Sequence, residues 1–414
     1  MGERRRAILV PQYLKEFRCI GSACEDSCCV GWRVDIDNET FRKYQKVKDE
    51  ELTDLFSKYM HRNRATNHTD ANYAKIKLMD ESRCPFLNES SLCKIQIKRG
   101  PEYLSDVCTT YPRITNIVND ILEKCATMSC PEAARIALLN PKEMEFDECD
   151  EPVTARNIVR TQINTNELKF NNRPHKYLWE IRIFTITVLQ DRKYRLSDRL
   201  IILGLFYQKL QEYLEEKRVD DIPILIGTYV DNLEKEAFGE SLSGIPAKYH
   251  IQMELLKEIA DKRHEMGINS ARYMECFAEF MNGIQYNSEA TMDENGARYR
   301  EAWENFYEPY MKDHEYILEN YLVNYVFKSL FPFDEEAEVF DAYMMMVIHY
   351  ALIKMNLIGI AGYHKGLTDQ QVIRLIQSFA KAIEHNVTYL NAIKNILKEN
   401  DYNKMTYMAI LIKN

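Results

Sequence analysis

Ten of the eleven cysteines lie in the first 149 residues of a 414-residue chain, and eight of them stand in short words between Cys19 and Cys130. The first word is Cys19-x4-Cys24-x3-Cys28-Cys29. The others are Cys84-Pro85-Phe86-Leu87, Leu92-Cys93-Lys94-Ile95, Cys108-Thr109-Thr110-Tyr111-Pro112-Arg113 and Ser129-Cys130-Pro131-Glu132. So dense a set ties its segment together through a metal, a cluster or disulfides. Disulfides need an oxidising compartment, and residues 1–11 offer only four apolar residues between a basic start and a proline, too few for a signal-peptide core. The expectation is a cytoplasmic protein with reduced thiols, whose cysteine cluster serves metal binding or redox chemistry.

Structural zinc sites usually combine close cysteine pairs with histidine. The nearest histidines, His61 and His68, stand in a polar stretch with no cysteine within ten residues, and are read as exposed loop side chains. An all-thiolate set remains, which suits iron–sulfur or zinc. The prolines after Cys84 and Cys130 match the Cys-Pro ending of some cluster-binding runs and favour iron–sulfur, with zinc as the alternative. The candidate ligands are Cys19, Cys24, Cys28, Cys29, Cys84, Cys93, Cys108 and Cys130, twice what one four-thiolate site uses. Cys24, Cys28, Cys84 and Cys93 form the group from which ligands are first drawn. Neighbouring side chains on extended backbone point to opposite faces, so one of Cys28 and Cys29 is read as structural. Cys125, Cys149 and Cys276 are read as ordinary thiols.

The rest of the chain points to helices. Glycine is scarce, at 14 residues, and the aliphatic, Glu and Lys content suits a mainly α fold. A net charge of −9 excludes nucleic acid as the main partner, because phosphate binding needs a basic footprint. The longest apolar stretch, 343–363, is interrupted by His349, Lys354 and Asn356. It predicts a buried helix and no membrane span. Two regions follow: a small cysteine-rich α+β region over 1–150 and a helical domain over 151–414, with the acidic segment 145–152 as the boundary. Short strands are predicted where Trp32, Val34 and Ile36 alternate with polar residues, and around Ile76 and Leu78. A hairpin is predicted over 114–128 about Asn119-Asp120, and a helix begins at Pro131. In the helical domain, Ser197 is read as an N-cap, Thr368 with Gln371 as a capping box, and 316–328 as a helix.

The words 19–32, 84–87, 92–96, 103–105, 108–113 and 129–135, continued in 319–325 and 331–333, resemble the flagellin lysine-N-methylase family. The resemblance implies methyl transfer from S-adenosylmethionine to lysine ε-amines of flagellin, with a cysteine-held iron–sulfur cluster of the 4Fe-4S type. No Gly-x-Gly occurs, which disfavours a Rossmann-like cofactor loop. The radical signature C-x3-C-x2-C is also absent, since Cys29 follows Cys28 at once. A neutral lysine amine can attack a sulfonium methyl directly once it is deprotonated and aligned. Within the resembling words, Tyr111 and Arg113 are the candidate catalytic residues and Trp32 the candidate cofactor contact. The competing reading makes Trp32 a core anchor, Tyr111-Pro112 a turn and Arg113 an ion-pair partner. Asn320 and Asn324, on one helix face, are read as a buried amide network. Two other functions fit the cysteines: an iron–sulfur oxidoreductase or redox sensor, and a zinc-stabilised protein-binding scaffold without catalysis.

Overall fold

The apolar run 343–363 lies at the centre of the molecule in the computed structural model, which describes residues 4–31, 34–268, 270–333 and 338–414, without the side chains of Glu81 and Glu240. It belongs to helix Val339–His364, whose apolar window is wholly enclosed, as a helix apolar on every face must be. Helices Leu196–Glu215, Ala271–Gly283 and Asp369–Phe379 pack around it. The closest crossing depends on glycine. A Cβ at Gly283 would stand 1.7 Å from the carbonyl oxygen of Gly359.

Helix Tyr316–Lys328 has the predicted bounds. Thr368 and Gln371 form the predicted capping box: the Thr368 N–H donates to Gln371 Oε1 at 2.9 Å, and the Gln371 N–H to Thr368 Oγ1 at 3.4 Å. The Ser197 cap does not form. That helix begins at Leu196 after Arg195, and the Leu196 N–H is satisfied by Glu315 Oε2 at 2.9 Å, so a carboxylate distant in sequence replaces the local cap.

Among the described residues eight strands make two sheets: β1 (Arg5–Pro11), β2 (Val34–Ile36), β3 (Met60–Arg62), β4 (Ala74–Ile76), β5 (Arg113–Val118), β6 (Ile121–Ala126), β7 (Phe146–Pro152) and β8 (Val159–Ile163). The larger sheet runs β7-β1-β6-β5-β8 and the smaller β2-β4-β3. The fold is mainly α with a small sheet region near the N-terminus, as predicted. Asn119 and Asp120 adopt φ of 48° and 67°, the left-handed pair that a two-residue hairpin requires, and Val118 pairs with Ile121 across it.

The acidic segment 145–152 is strand β7, paired with β1 along its whole length. Its charges suit an edge strand: Glu148 and Asp150 face solvent, while Glu151 turns inward to Lys124 and to Arg6 at 2.9 Å. The chain then returns as β8 at the other edge of the same sheet, and one continuous core draws side chains from Ile8 through Ile412. A second, smaller core lies between β2, β4 and the helices Asn38–Gln45 and Glu50–Tyr59. Its centre is Tyr44 stacked on Phe56 at 4.2 Å, with Phe86 5.0 Å beyond.

Helix Tyr316–Lys328 is fastened to the large sheet by the predicted amides. Asn324 Nδ2 donates to the carbonyl of Ala126 at 3.1 Å, and Asn324 Oδ1 accepts from the Tyr13 hydroxyl at 2.6 Å. The same hydroxyl accepts from the Ala126 N–H at 2.9 Å, so the end of β6 is closed by side chains instead of a strand. Asn320 Nδ2 donates to the carbonyl of Asn140 at 2.8 Å, and Asn116 Nδ2 to that of Lys328 at 2.9 Å.

Candidate functional site

Backbone bonds gather the cysteine words. The Cys84 N–H donates to the carbonyl of Cys29 at 2.9 Å and the Lys94 N–H to that of Phe86 at 2.8 Å, while short bridges join Val30 to Arg83 and Leu87 to Cys93. Several thiols then accept backbone N–H groups: Cys84 from Phe86, Cys93 from Ile95 and Gln96, and Cys130 from Glu132 and Ala133. Cys93 and Cys130 each precede a helix, Lys94–Arg99 and Pro131–Leu138, which explains proline as the first helical residue after Cys130.

Cys28 is the hub. Its charge acts on Cys84, Cys93 and Cys108, which pack with Cys29 on the smaller core, on Cys130 in the main core, and on Cys24. Cys19 acts on Cys24 and Arg113. The Cys28 and Cys29 sulfurs stand 4.0 Å apart. Donation from Cys29 draws the Cys28 thiol down to about 7, helped by Lys381, and the same bond drives the Cys29 thiol upward. Burial pushes Cys84 and Cys130 up to about 11 and Cys108 up to about 12. Thiols so placed ionise when a bound cation compensates them.

By the chemistry of the donor set alone, thiolates with N–H···S support already made suit an iron–sulfur cluster or zinc. Among the described residues no three His, Cys, Asp or Glu side chains stand at separations that close around an ion.

One helical face reads two cysteine words and leads to a cavity. Gln377 Nε2 donates to Asp26 Oδ2 at 2.7 Å and to the carbonyl of Ser129 at 2.9 Å, and Lys381 pairs with Asp26 at 2.9 Å. A π-helical turn, Ala380–Glu384, follows and turns Glu384 and His385 toward the interior. The cavity there measures about 320 Å³. Its walls are Ile114 of β5, Tyr325 and Lys328, Phe331, Met345 and His349, and the start of helix Val387–Glu399. Val387, 54% exposed, marks the mouth.

Glu384 accepts from the Tyr321 hydroxyl at 2.6 Å and is ion-paired with Lys328. Burial pushes its carboxyl up, but Lys328, His349 and Tyr321 together outweigh that and hold it near about 2. Burial pushes His349 down to about 4, so its imidazole is neutral at ordinary pH. Both His349 ring nitrogens lack a hydrogen-bond partner. An unpaired buried polar group costs about 1–3 kcal/mol. The ring is held edge-on by Tyr325 at 5.2 Å and Phe379 at 5.9 Å. His385, also lowered by burial, places Nε2 3.2 Å from Ser129 Oγ, which is 3.2 Å from the Tyr111 hydroxyl. A line of hydroxyl and imidazole groups thus runs from the Cys108 word to the cavity wall. Lys328 and Glu384 enter the cavity wall as an ion pair, with Arg160 beside them.

The predicted residues are distributed unevenly about this cavity. Tyr111 reaches it through Ser129 and His385, and burial raises its phenol well above the ordinary range. Arg113 does not line it. On strand β5 Arg113 and Ile114 point to opposite faces; Ile114 faces the cavity and Arg113 lies over the Phe17 ring at 5.1 Å. Arg113 therefore makes a cation–π contact where an ion pair was the competing expectation. Trp32 lies outside the described residues. His61 and His68 are exposed, as read from sequence. Sequence reasoning missed Lys328, Glu384, His385 and the role of His349. Two signals pointed there: His349 breaks an apolar run, and the 319–325 and 331–333 words contain Tyr325 and Phe331.

Comparison with known proteins agrees. The family described as FliB lysine N-methylase C-terminal domain matches residues 182–411. Lysine-N-methylases of Salmonella typhimurium (strain LT2) and Salmonella choleraesuis are each 21% identical over 389 residues, covering 91% of both chains. The flagellar biosynthetic protein FliU of Salmonella muenchen is 30% identical over 139 residues, 33% of this chain and 80% of FliU. No solved structure matches this chain. With more than half of its length matched, the chain belongs to the FliB lysine N-methylase family.

Proposed function

We propose that this protein-lysine methyltransferase takes its methyl group from S-adenosylmethionine and delivers it to lysine ε-amines of flagellin in the cytoplasm. The observation that carries the reading is the cavity itself: about 320 Å³, with His349 and His385 set among apolar walls and a hydroxyl line to the cysteine words. The flagellar name of one relative supports flagellin as substrate.

In the reaction the amine lone pair forms a bond to the methyl carbon as the carbon–sulfur bond breaks and its electron pair stays on sulfur. The products are S-adenosylhomocysteine and a methylated ammonium, which then loses one proton to solvent. The chain's own contribution is to align the free-base lysine with the methyl group and to exclude water around the line of attack. Glu384, already satisfied by Lys328 and Tyr321, holds the wall and takes no proton. Tyr111 acts by positioning Ser129 and His385.

We assign the cysteine words to an iron–sulfur cluster, with Cys28, Cys84, Cys93 and Cys108 as its ligands. A cluster there supplies a compensating cationic charge and one-electron chemistry; the transfer written above does not pass through it. The test is anaerobically purified protein incubated with methyl-labelled S-adenosylmethionine and flagellin. Label on flagellin lysine is expected, and its absence from protein that retains its iron would sink the reading.

A further inference from the structure

Within the methyltransferase reading, on which this inference rests, we infer that His349 is the recognition residue for the adenosyl group of the methyl donor. The cavity's 320 Å³ lies at the small end of ligand-binding cavities, roughly 300–1,000 Å³, a size for a nucleoside. Its polar features match one. His349 is 3% exposed, lines the cavity and has both ring nitrogens without a partner, although its neighbours Lys328 and Glu384 are paired with each other. A neutral imidazole offers one donor and one acceptor, which a purine and its ribose hydroxyls answer. Buried polar groups are nearly always satisfied, so this ring marks where a polar ligand belongs. Phe331, Met345 and Leu390 supply apolar wall for the flat base.

The target lysine is a poorer occupant of this spot. A butylamine chain fills little of the volume and uses at most one ring nitrogen. The base with its ribose, larger and carrying several donors and acceptors, meets neither objection.

Calorimetric binding of S-adenosylhomocysteine and of adenosine to the metal-loaded full chain tests the assignment. His349→Phe is expected to weaken both by about tenfold or more, and His349→Asn, which restores a donor and an acceptor, to recover most of the loss. Flagellin binding should be unchanged in both variants. As a second measurement that needs no variant, 8-azidoadenosine photolabelling of the unaltered protein should mark peptides spanning 342–349 or 384–391. Wild-type affinity in a folded His349→Phe variant, an effect confined to flagellin binding, or label elsewhere would overturn the role of His349 and leave the methyltransferase reading intact. Failure of the unaltered, metal-loaded protein to bind S-adenosylhomocysteine at all would overturn both.

Discussion

The two cores of this molecule are stabilised in different ways. The larger gathers apolar side chains from Ile8 to Ile412 around a central helix buried on all sides. The smaller, over residues 34–95, has three strands of three residues each and a short aromatic column, with Cys29, Cys93 and Cys108 packed at its rim. A core of that size is marginal without a staple. The cysteines are concentrated where apolar burial is thinnest. The large core needs no staple, and it tolerates awkward groups: a histidine without partners, a lysine pushed down to about 7 by burial at Lys354, and the Glu384–Lys328 pair. The difference teaches that the cysteine-rich region is the one that needs a staple for local folding, while the region with ample burial can carry the strained polar chemistry of a cavity.

The contrast is broken most forcefully at a thiol. On the proposed cluster assignment, Cys84→Ala should remove the metal and open the lobe, because metal binding contributes on the order of 10 kcal/mol to the folding of small metal-dependent domains. Iron and sulfide content should fall together with amide-exchange protection over 34–108, while peptides from 339–364 keep theirs. Equal protection of the lobe in the metal-free variant would end the comparison.

Next in size is Glu384→Gln. It leaves the Lys328 ammonium buried beside a neutral amide, and loss of one partner from a buried pair costs about 3–5 kcal/mol. The pH dependence has a definite sign. With the folded pKa lowered to about 2, the carboxylate's contribution is complete above the ordinary value of 4.5 and is lost as pH falls through about 2. The stability gap between wild type and Glu384→Gln, measured by urea denaturation, should therefore be constant above about pH 5 and shrink toward pH 2. A gap that widened on acidification would show that the pair does not stabilise the native state.

What could be read from the sequence follows the same division between local and distant causes. Asn119-Asp120, the Thr368 box and the bounds of 316–328 were legible because neighbouring residues decide them. The Ser197 cap was misplaced because its substitute, Glu315, is 119 positions away. The acidic segment 145–152 resembled a boundary because an edge strand wears its charges outward. The cysteine words stood out by spacing, but their division around Cys28 depends on which core each packs against. The cavity was hidden, since Lys328, His349 and Glu384 meet only through helix packing. Its local traces were a histidine in an apolar run and the words that hold Tyr325 and Phe331.

The smallest expected effect concerns the seam between sheet and helix. Asn324→Leu keeps the volume but removes the acceptor for the Tyr13 hydroxyl and the donor to the Ala126 carbonyl. A lost buried hydrogen-bonding group costs about 1–3 kcal/mol, read as a lower urea midpoint with an unchanged slope. Tyr13→Phe removes the same hydroxyl from the other side, together with its acceptance of the Ala126 N–H. Because both variants break one shared network, their effects should fall short of additivity by about 1 kcal/mol. Additive losses would mean that the end of β6 and the 316–328 helix are stabilised separately, and the large core would then be two cores in contact.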